Sequence, residues 1–287
     1  MTRLLVGFDS AWTAGNSGGL VGTVCQGVDG YEDLGNPVPA NFQEAGRTIR
    51  KWQDKHGPSE TIILIDQPTV VRNTAGQRPV KNLAASPVSL RYGGMQPANT
   101  ARMGMFDANA PVWPFLQQFG GPTDPLSQAK GTQVFETYPV LAIIALGWTL
   151  PDTRPTGRLP KYNPARRTFS QEDWNHLCAL TARQFSERGL ENIAAWINSK
   201  SKPKPTKRDQ DGLDACLCLL VAINFAEGKS CLMVGRHESG SIIVPYSSSL
   251  RDELVARCIK TTRDPDAWVK ILDQGLQAPA NKSTFSE

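Results

Sequence analysis

The sequence predicts an α/β protein: a mixed five-stranded sheet flanked by helices, with a long insertion after the fourth strand and a C-terminal hairpin followed by helices. Three observations predict it. Short apolar runs bounded by turn residues give way to stretches of helical period. The run Thr61 to Asp66 is β-branched along its length, as in buried parallel strands. Three apolar runs also end in an acid: Leu4 to Phe8 in Asp9, Ile62 to Ile65 in Asp66, and Val134-Phe135 in Glu136.

Residues 3–9 read as a buried strand. The glycine-rich stretch 14–19 leads into a second strand, Leu20 to Cys25, and a short third strand spans Tyr31 to Leu34. Turn residues separate the three, which predicts an antiparallel meander. A helix follows from Ala40 to His56, with Phe42, Ala45, Ile49 and Trp52 on one face and Gly57-Pro58 as its stop. Thr61 to Asp66 is the fourth strand. Residues 67–131 are rich in Pro, Gly, Asn and Gln, too long for a plain loop, and read as an inserted, functional segment with a short helix at Pro111 to Phe119. Gly131 to Tyr138 returns to strand, and Pro139 to Leu146 forms a helix closed by Gly147.

Ser170 and Asp173 form a capping box for a helix reaching Arg188, and residues 190–199 form another. The stretch Ser199 to Arg208 carries five basic residues and two prolines and reads as an exposed loop. Asp209 caps the next helix, whose apolar positions Leu213, Cys216, Leu217, Leu220 and Val221 run on to Gly228. Cys231 to Val234 and Ser241 to Val244 form a hairpin. A helix starts at Ser249, and another has Asp264 as cap, Pro265 at its first position and Gly275 beyond its end. Residues 276–287 read as disordered. The expected division is one domain over residues 1–246, holding the 67–131 insertion, and a helical extension with its tail over 247–287.

Composition narrows the function. The chain has 287 residues, 40% hydrophobic and 20% charged, as an ordinary globular protein does. A net charge of +4 is compatible with a nucleic-acid partner without requiring one. No apolar run approaches the roughly 20 residues of a membrane helix, and Met1-Thr2-Arg3 runs straight into a strand rather than a signal peptide. Six cysteines without a Cys-x-x-Cys pair, and three histidines, argue against zinc and for a reduced, cytoplasmic protein.

Acids at strand ends are the chemical signal. A buried strand tolerates no free charge, so a terminal carboxylate is either satisfied or used. Asp211 and Asp214, three apart at the start of a strongly apolar helix, share one face. Brought together, these acids form a pocket that needs a cation, and hard oxygens suit Mg²⁺ or Mn²⁺. With the insertion set aside, the chain order is that of the RNase H-like fold, in which the first and fourth strands end side by side at the sheet's centre. Asp9 and Asp66 fall there. Two cations about 4 Å apart would support two-metal phosphoryl transfer.

The segments Gly7-Phe8-Asp9-Ser10-Ala11-Trp12, Ile65-Asp66-Gln67-Pro68, Glu136-Thr137-Tyr138-Pro139 and Asp211-Gly212-Leu213-Asp214-Ala215 resemble those of the domain-of-unknown-function family numbered four-twenty-nine. The resemblance spans roughly residues 3 to 245. It implies an RNase H-like, RuvC-resolvase-like nuclease, with Asp9 as the metal-bridging aspartate of the first strand, Asp66 as the fourth-strand acid, and Asp211 and Asp214 as the paired acids of the last helix. Glu136 belongs to the family pattern without a firm counterpart among understood nucleases.

The expected catalytic residues are therefore Asp9, Asp66, Glu136, Asp211 and Asp214, with Asp9, Asp66, Asp211 and Asp214 as metal ligands. Lys204, Lys207 and Arg208, together with Lys200 and Lys202, are candidates for gripping phosphate, against the commoner reading of a solvated charge run. Arg72, Arg78, Arg91 and Arg102 are further candidates. Trp12 is a candidate for stacking on a base, against simple packing. Gly18-Gly19 reads most simply as a hairpin turn. Two other functions share the pattern: an actin-like or sugar-kinase-like ATPase, which normally duplicates the domain and carries two glycine-rich phosphate loops, and a binding protein that kept the fold and lost the chemistry. The expected partner is nucleic acid, DNA or RNA.

Overall fold

The structure is a computed structural model that describes residues 1–27, 30–92, 95–127, 129–154 and 161–273. Its centre is a mixed sheet built from β1 (Arg3–Asp9), β2 (Gly18–Cys25), β3 (Tyr31–Asp33), β5 (Glu60–Asp66) and β6 (Gly131–Glu136), in the order β3-β2-β1-β5-β6. The first three strands are antiparallel, and β1, β5 and β6 run parallel. All five predicted strands are present in the arrangement expected of an RNase H-like sheet. A sixth, β4 (Val38–Ala40), pairs with β2 beside β3. Pro37 and Pro39 hide it in the sequence, since proline cannot donate to a ladder, but an edge position tolerates it.

The two faces of the sheet hold separate cores. Leu4, Val6, Phe8, Ile63 and Ile65 pack under α1 (Phe42–His56) and α3 (Val112–Gln118). Asn41 caps α1 through a complete capping box with Glu44, and Gly57 ends it in the left-handed region at φ 51°. The alternate residues Leu5, Ile62, Leu64 and Phe135 face α4 (Pro139–Ala145), α5 (Gln171–Ser186), α6 (Glu191–Lys200) and the long α7 (Lys207–Ala226).

Several boundaries differ from the sequence expectation. Thr206, not Asp209, is the N-cap of α7; Asp209 sits three residues on and completes a capping box from inside the helix. Ser170 caps α5, but the Asp173 carboxylate accepts from the Asp152 amide at 2.7 Å instead of closing a box. The insertion holds α2 (Pro79–Arg91) as well as α3; Pro87 inside α2 masked it as loop. After β7 (Cys231–Arg236), β8 (Gly240–Pro245) and α8 (Ser248–Lys260), the helix expected at Asp264 is a single turn, α9 (Pro265–Trp268). The chain then forms β9 (Val269–Leu272), which pairs antiparallel with β7 and completes a sheet ordered β8-β7-β9. The edge of β7 recruits this segment, whose Val269 and Leu272 are buried. Gly275 and the tail expected to be disordered lie outside the described residues.

α7 sits unusually close to the sheet. A Cβ on Gly7 of β1 would lie 2.1 Å from the Ala215 carbonyl oxygen and 2.4 Å from the Leu219 nitrogen. One on Gly19 of β2 would lie 2.3 Å from the Asp211 carbonyl oxygen. Gly19 is therefore not merely a turn residue; it is paired with Asp9 in the ladder and lies beneath the first turns of α7. Small positions let two backbones touch, and this contact places the acids of α7 above the end of β1. Gly7→Ala is expected to lower stability in urea denaturation by about 3 kcal/mol, because backbone rather than a flexible side chain must move. Gly15→Ala, with nothing within 4 Å of its added Cβ, is expected to change stability by less than about 0.5 kcal/mol.

Candidate active site

Asp9 and Asp66 are direct partners across β1 and β5, so their side chains leave the same face of the sheet at adjacent strand ends. That face carries α7. Asp214, 4% exposed, comes down from α7 and is oriented by the Tyr162 hydroxyl, which donates to it at 3.1 Å, and by the Gln210 amide. Asp211, one turn earlier, forms an ion pair with Lys207. All of these side chains, and Glu136, line one cavity of about 830 Å³ at the carboxyl ends of the parallel strands.

Glu136 belongs to a different arrangement. It is in register with Ile65, one step behind the aspartate pair, so strand alternation turns it away from α7. There Arg78 of the insertion grips both its oxygens, with Nη1 donating to Oε2 at 2.8 Å, and the Thr69 amide adds a bond at 3.1 Å. Arg78 is completely buried. Glu136 lines the cavity, and its pair with Arg78 fastens the insertion to the sheet. Sequence spacing alone could not show this, because an acid at a strand end is equally well explained by either face.

Asp9 and Asp66 lack such partners among the described residues. Asp9 is 6% exposed, and neither its carboxylate nor that of Asp66 makes a hydrogen bond or ion pair to another described residue. Burial, then the neighbouring Asp214 and Asp66 charges, hold the Asp9 carboxyl well above the usual carboxylate range. Burial and Asp214, followed by Glu136, do the same to Asp66. Burial pushes Asp214 up to about 7, against the opposing pull of Lys207. Among the described residues, no three acid, histidine or cysteine side chains are drawn around one point.

The basic candidates disperse. Lys207 lines the cavity, but Lys200 and Lys202 neutralise Asp209, and Arg208 lines a separate hollow with Trp196 and Gly212. Lys204 is exposed, in the left-handed region at φ 58°. In the insertion, Arg72 donates to the Glu238 carbonyl, Arg91 pairs with Glu253 and Arg102 donates to the Pro97 carbonyl. Trp12 lines the cavity but is held on several sides. Its indole donates to the Asp66 carbonyl at 3.3 Å, Phe106 packs edge-on at 5.3 Å, and Lys81 lies over the ring. These contacts keep Trp12 at a positive φ of 64°, a conformation that an aromatic residue adopts only under constraint.

Sequence reasoning missed Tyr162, Gln210 and Lys81. Gln210 carried a signal, being one helical turn before Asp214. Tyr162 and Lys81 lie in loop-like composition and carried none.

The sheet order, the paired aspartates at the ends of its central parallel strands and the acid-bearing helix above them define an α/β protein of the RNase H-like class with an acidic cleft. The chain belongs to the family described as protein of unknown function (DUF429), whose model matches residues 7–238. No curated protein and no solved structure matches it. No helix among the described residues is long and apolar enough to cross a membrane, and all six cysteines are free thiols.

Two outcomes follow from the electrostatics. Because the folded state holds a proton on Asp214 up to about 7 while the unfolded value is 3.8, the fold binds more protons than the unfolded chain in that window. Its contribution to stability is full below the lower value and is lost as pH rises through the upper one. Asp9→Asn, which removes a buried charge without removing a hydrogen bond, is expected to raise stability at pH 8 by about 1–2 kcal/mol and to leave it nearly unchanged at pH 4, read from urea midpoints. Arg78→Met leaves Glu136 buried and unpaired and is expected to cost about 3–5 kcal/mol in the same measurement.

Proposed function

We propose that the protein is a divalent-cation-dependent hydrolase of phosphodiester bonds in nucleic acid, with Asp9, Asp66 and Asp214 as the cation's ligands and Asp211 beside them. The observation that carries this reading is the pair Asp9 and Asp66: adjacent, buried or nearly so, and with neither carboxylate in a hydrogen bond or ion pair among the described residues. A protein that satisfies Glu136 so completely with Arg78, yet leaves these two carboxylates bare, holds them at a cost to its stability. Such a cost is commonly met where a site binds something.

The donor set fits Mg²⁺ or Mn²⁺. Neither thiol nor imidazole lines the cavity among the described residues, and the oxygens present are hard carboxylates. When bound, the cation supplies a Lewis acid for a phosphoryl oxygen and a more acidic water. The chain's own residues do the rest. Tyr162 and Gln210 fix the rotamer of Asp214. Lys207 offsets the charge of Asp211 and draws down the proton affinity of Asp9 and Asp214. Ser10 donates to Gln67 at 2.6 Å, tying together the two loops that follow Asp9 and Asp66.

Calorimetry with MnCl₂ at pH 8 is expected to show binding by the unaltered protein and at least a tenfold loss of affinity in Asp9→Asn. Cleavage of single- and double-stranded DNA and RNA in Mn²⁺ is expected to fall roughly 100-fold or more in the same variant. If the unaltered chain takes up no Mn²⁺ at millimolar concentration, the hydrolase reading is wrong and a binding role replaces it.

A further inference from the structure

The cavity has two charge poles that do not meet. The aspartates stand at the strand ends. Facing them is Lys81, delivered by α2 of the insertion, 2% exposed and lining the same space. Its Nζ donates to the Gln96 carbonyl and lies 5.3 Å from the centre of the Trp12 ring. Burial and the neighbouring Arg78 lower its pKa to about 7, against the opposing fields of Glu136 and Asp66, and no carboxylate of the described residues forms an ion pair with it. An ammonium carries three donors. With one carbonyl and one ring face as partners, this one keeps donor capacity for an anion entering the cavity, and a buried charge gains most from such a partner.

The walls set the size of that anion. Met95, Pro97 and Met105 of the insertion line the cavity together with Lys81, as do Asn163 and Arg166. The volume of about 830 Å³ falls within the ~300–1,000 Å³ of small-molecule sites. A protein surface that follows a duplex spreads over ~1,000–2,500 Å² and needs a track of cations. Among the described residues the cavity is lined by Lys81, Lys207 and Arg166 rather than by a track of cations, and Arg72, Arg78, Arg91 and Arg102 are each held by protein groups.

We propose that the insertion turns the cleft into a bounded pocket for one phosphoester unit, a mononucleotide or the terminal nucleotide of a strand, with Lys81 as the residue that binds its phosphate. This rests on the hydrolase reading for the chemistry that follows, while binding itself does not depend on it. The anion would span the poles, its phosphate toward Lys81 and the aspartates that would hold the cation on the other side. Trp12, immobilised beneath Lys81, then serves to hold the ammonium in place rather than to stack on a base.

The test has two arms. In the first, calorimetry measures adenosine and cytidine 5′-monophosphate binding in Mn²⁺ by the unaltered chain, by Lys81→Met, which keeps the stem, and by Lys81→Arg, which keeps the charge. Binding is expected to weaken at least tenfold in Lys81→Met and less in Lys81→Arg, with Mn²⁺ affinity unchanged in both. In the second arm the unaltered chain meets a linear single strand and a covalently closed circular one. The linear strand is expected to shorten from an end while the circle stays intact. Nicking of the circle at the rate of the linear strand overturns the pocket and leaves the hydrolase reading standing. Lys81-dependent nucleotide binding with no hydrolysis of strand or nucleotide supports the pocket and removes the hydrolase reading. An absence of nucleotide binding at millimolar concentration, or equal binding by Lys81→Met, overturns the inference.

Discussion

The contact of α7 with β1 and β2 governs the rest of the molecule. α7 is buried from Gly212 through Phe225, so it is a core helix rather than a surface one. Gly7 and Gly19 remove the side chains that would otherwise hold it off the sheet. The helix can then bring Asp214 and Asp211 over the strand ends, where a sheet-facing helix would normally present apolar residues. The position of the acids is thus a packing result before it is an electrostatic one.

That geometry sets carboxylates against each other in a poorly solvated place, and the surrounding chain compensates only in part. Tyr162 and Gln210 serve Asp214, Lys207 serves Asp211, and the carboxylates of Asp9 and Asp66 have neither hydrogen bond nor ion pair among the described residues. The contrast with Glu136 is internal to the site. One acid of the five is matched by a buried guanidinium and joins the insertion to β6, while its neighbours along the same sheet edge stay exposed to each other's charge. The insertion consequently has two roles, one mechanical through Arg78 and one facing the cavity through Lys81 and its packing on Trp12.

Much of this architecture was legible in the chain. The apolar runs ending in Asp9 and Asp66 located the last residue of both central strands, and the Asp211–Asp214 spacing put both acids on one helical face. Glu136 followed the same pattern but has the opposite orientation, because a one-residue difference in register reverses a strand's faces. The basic run before α7 was visible as charge, but its partition between Asp209, a separate hollow and the cavity depends on where the loop folds. β4 was concealed by two prolines, α2 by an internal proline, and β9 by a helix-start signal that persists for only one turn before the free edge of β7 captures the chain.

Local periodicity, cap residues and strand-terminal acids determined the order of elements and which carboxylates stand at the sheet's centre, since these depend on neighbours within a few positions. Tertiary structure decided which of those acids are neutralised. Arg78 reaches Glu136 across 58 residues and Tyr162 reaches Asp214 across 52, and no spacing rule links such pairs. The charge state of a buried group is a property of everything packed around it, and only the folded chain assembles that surrounding.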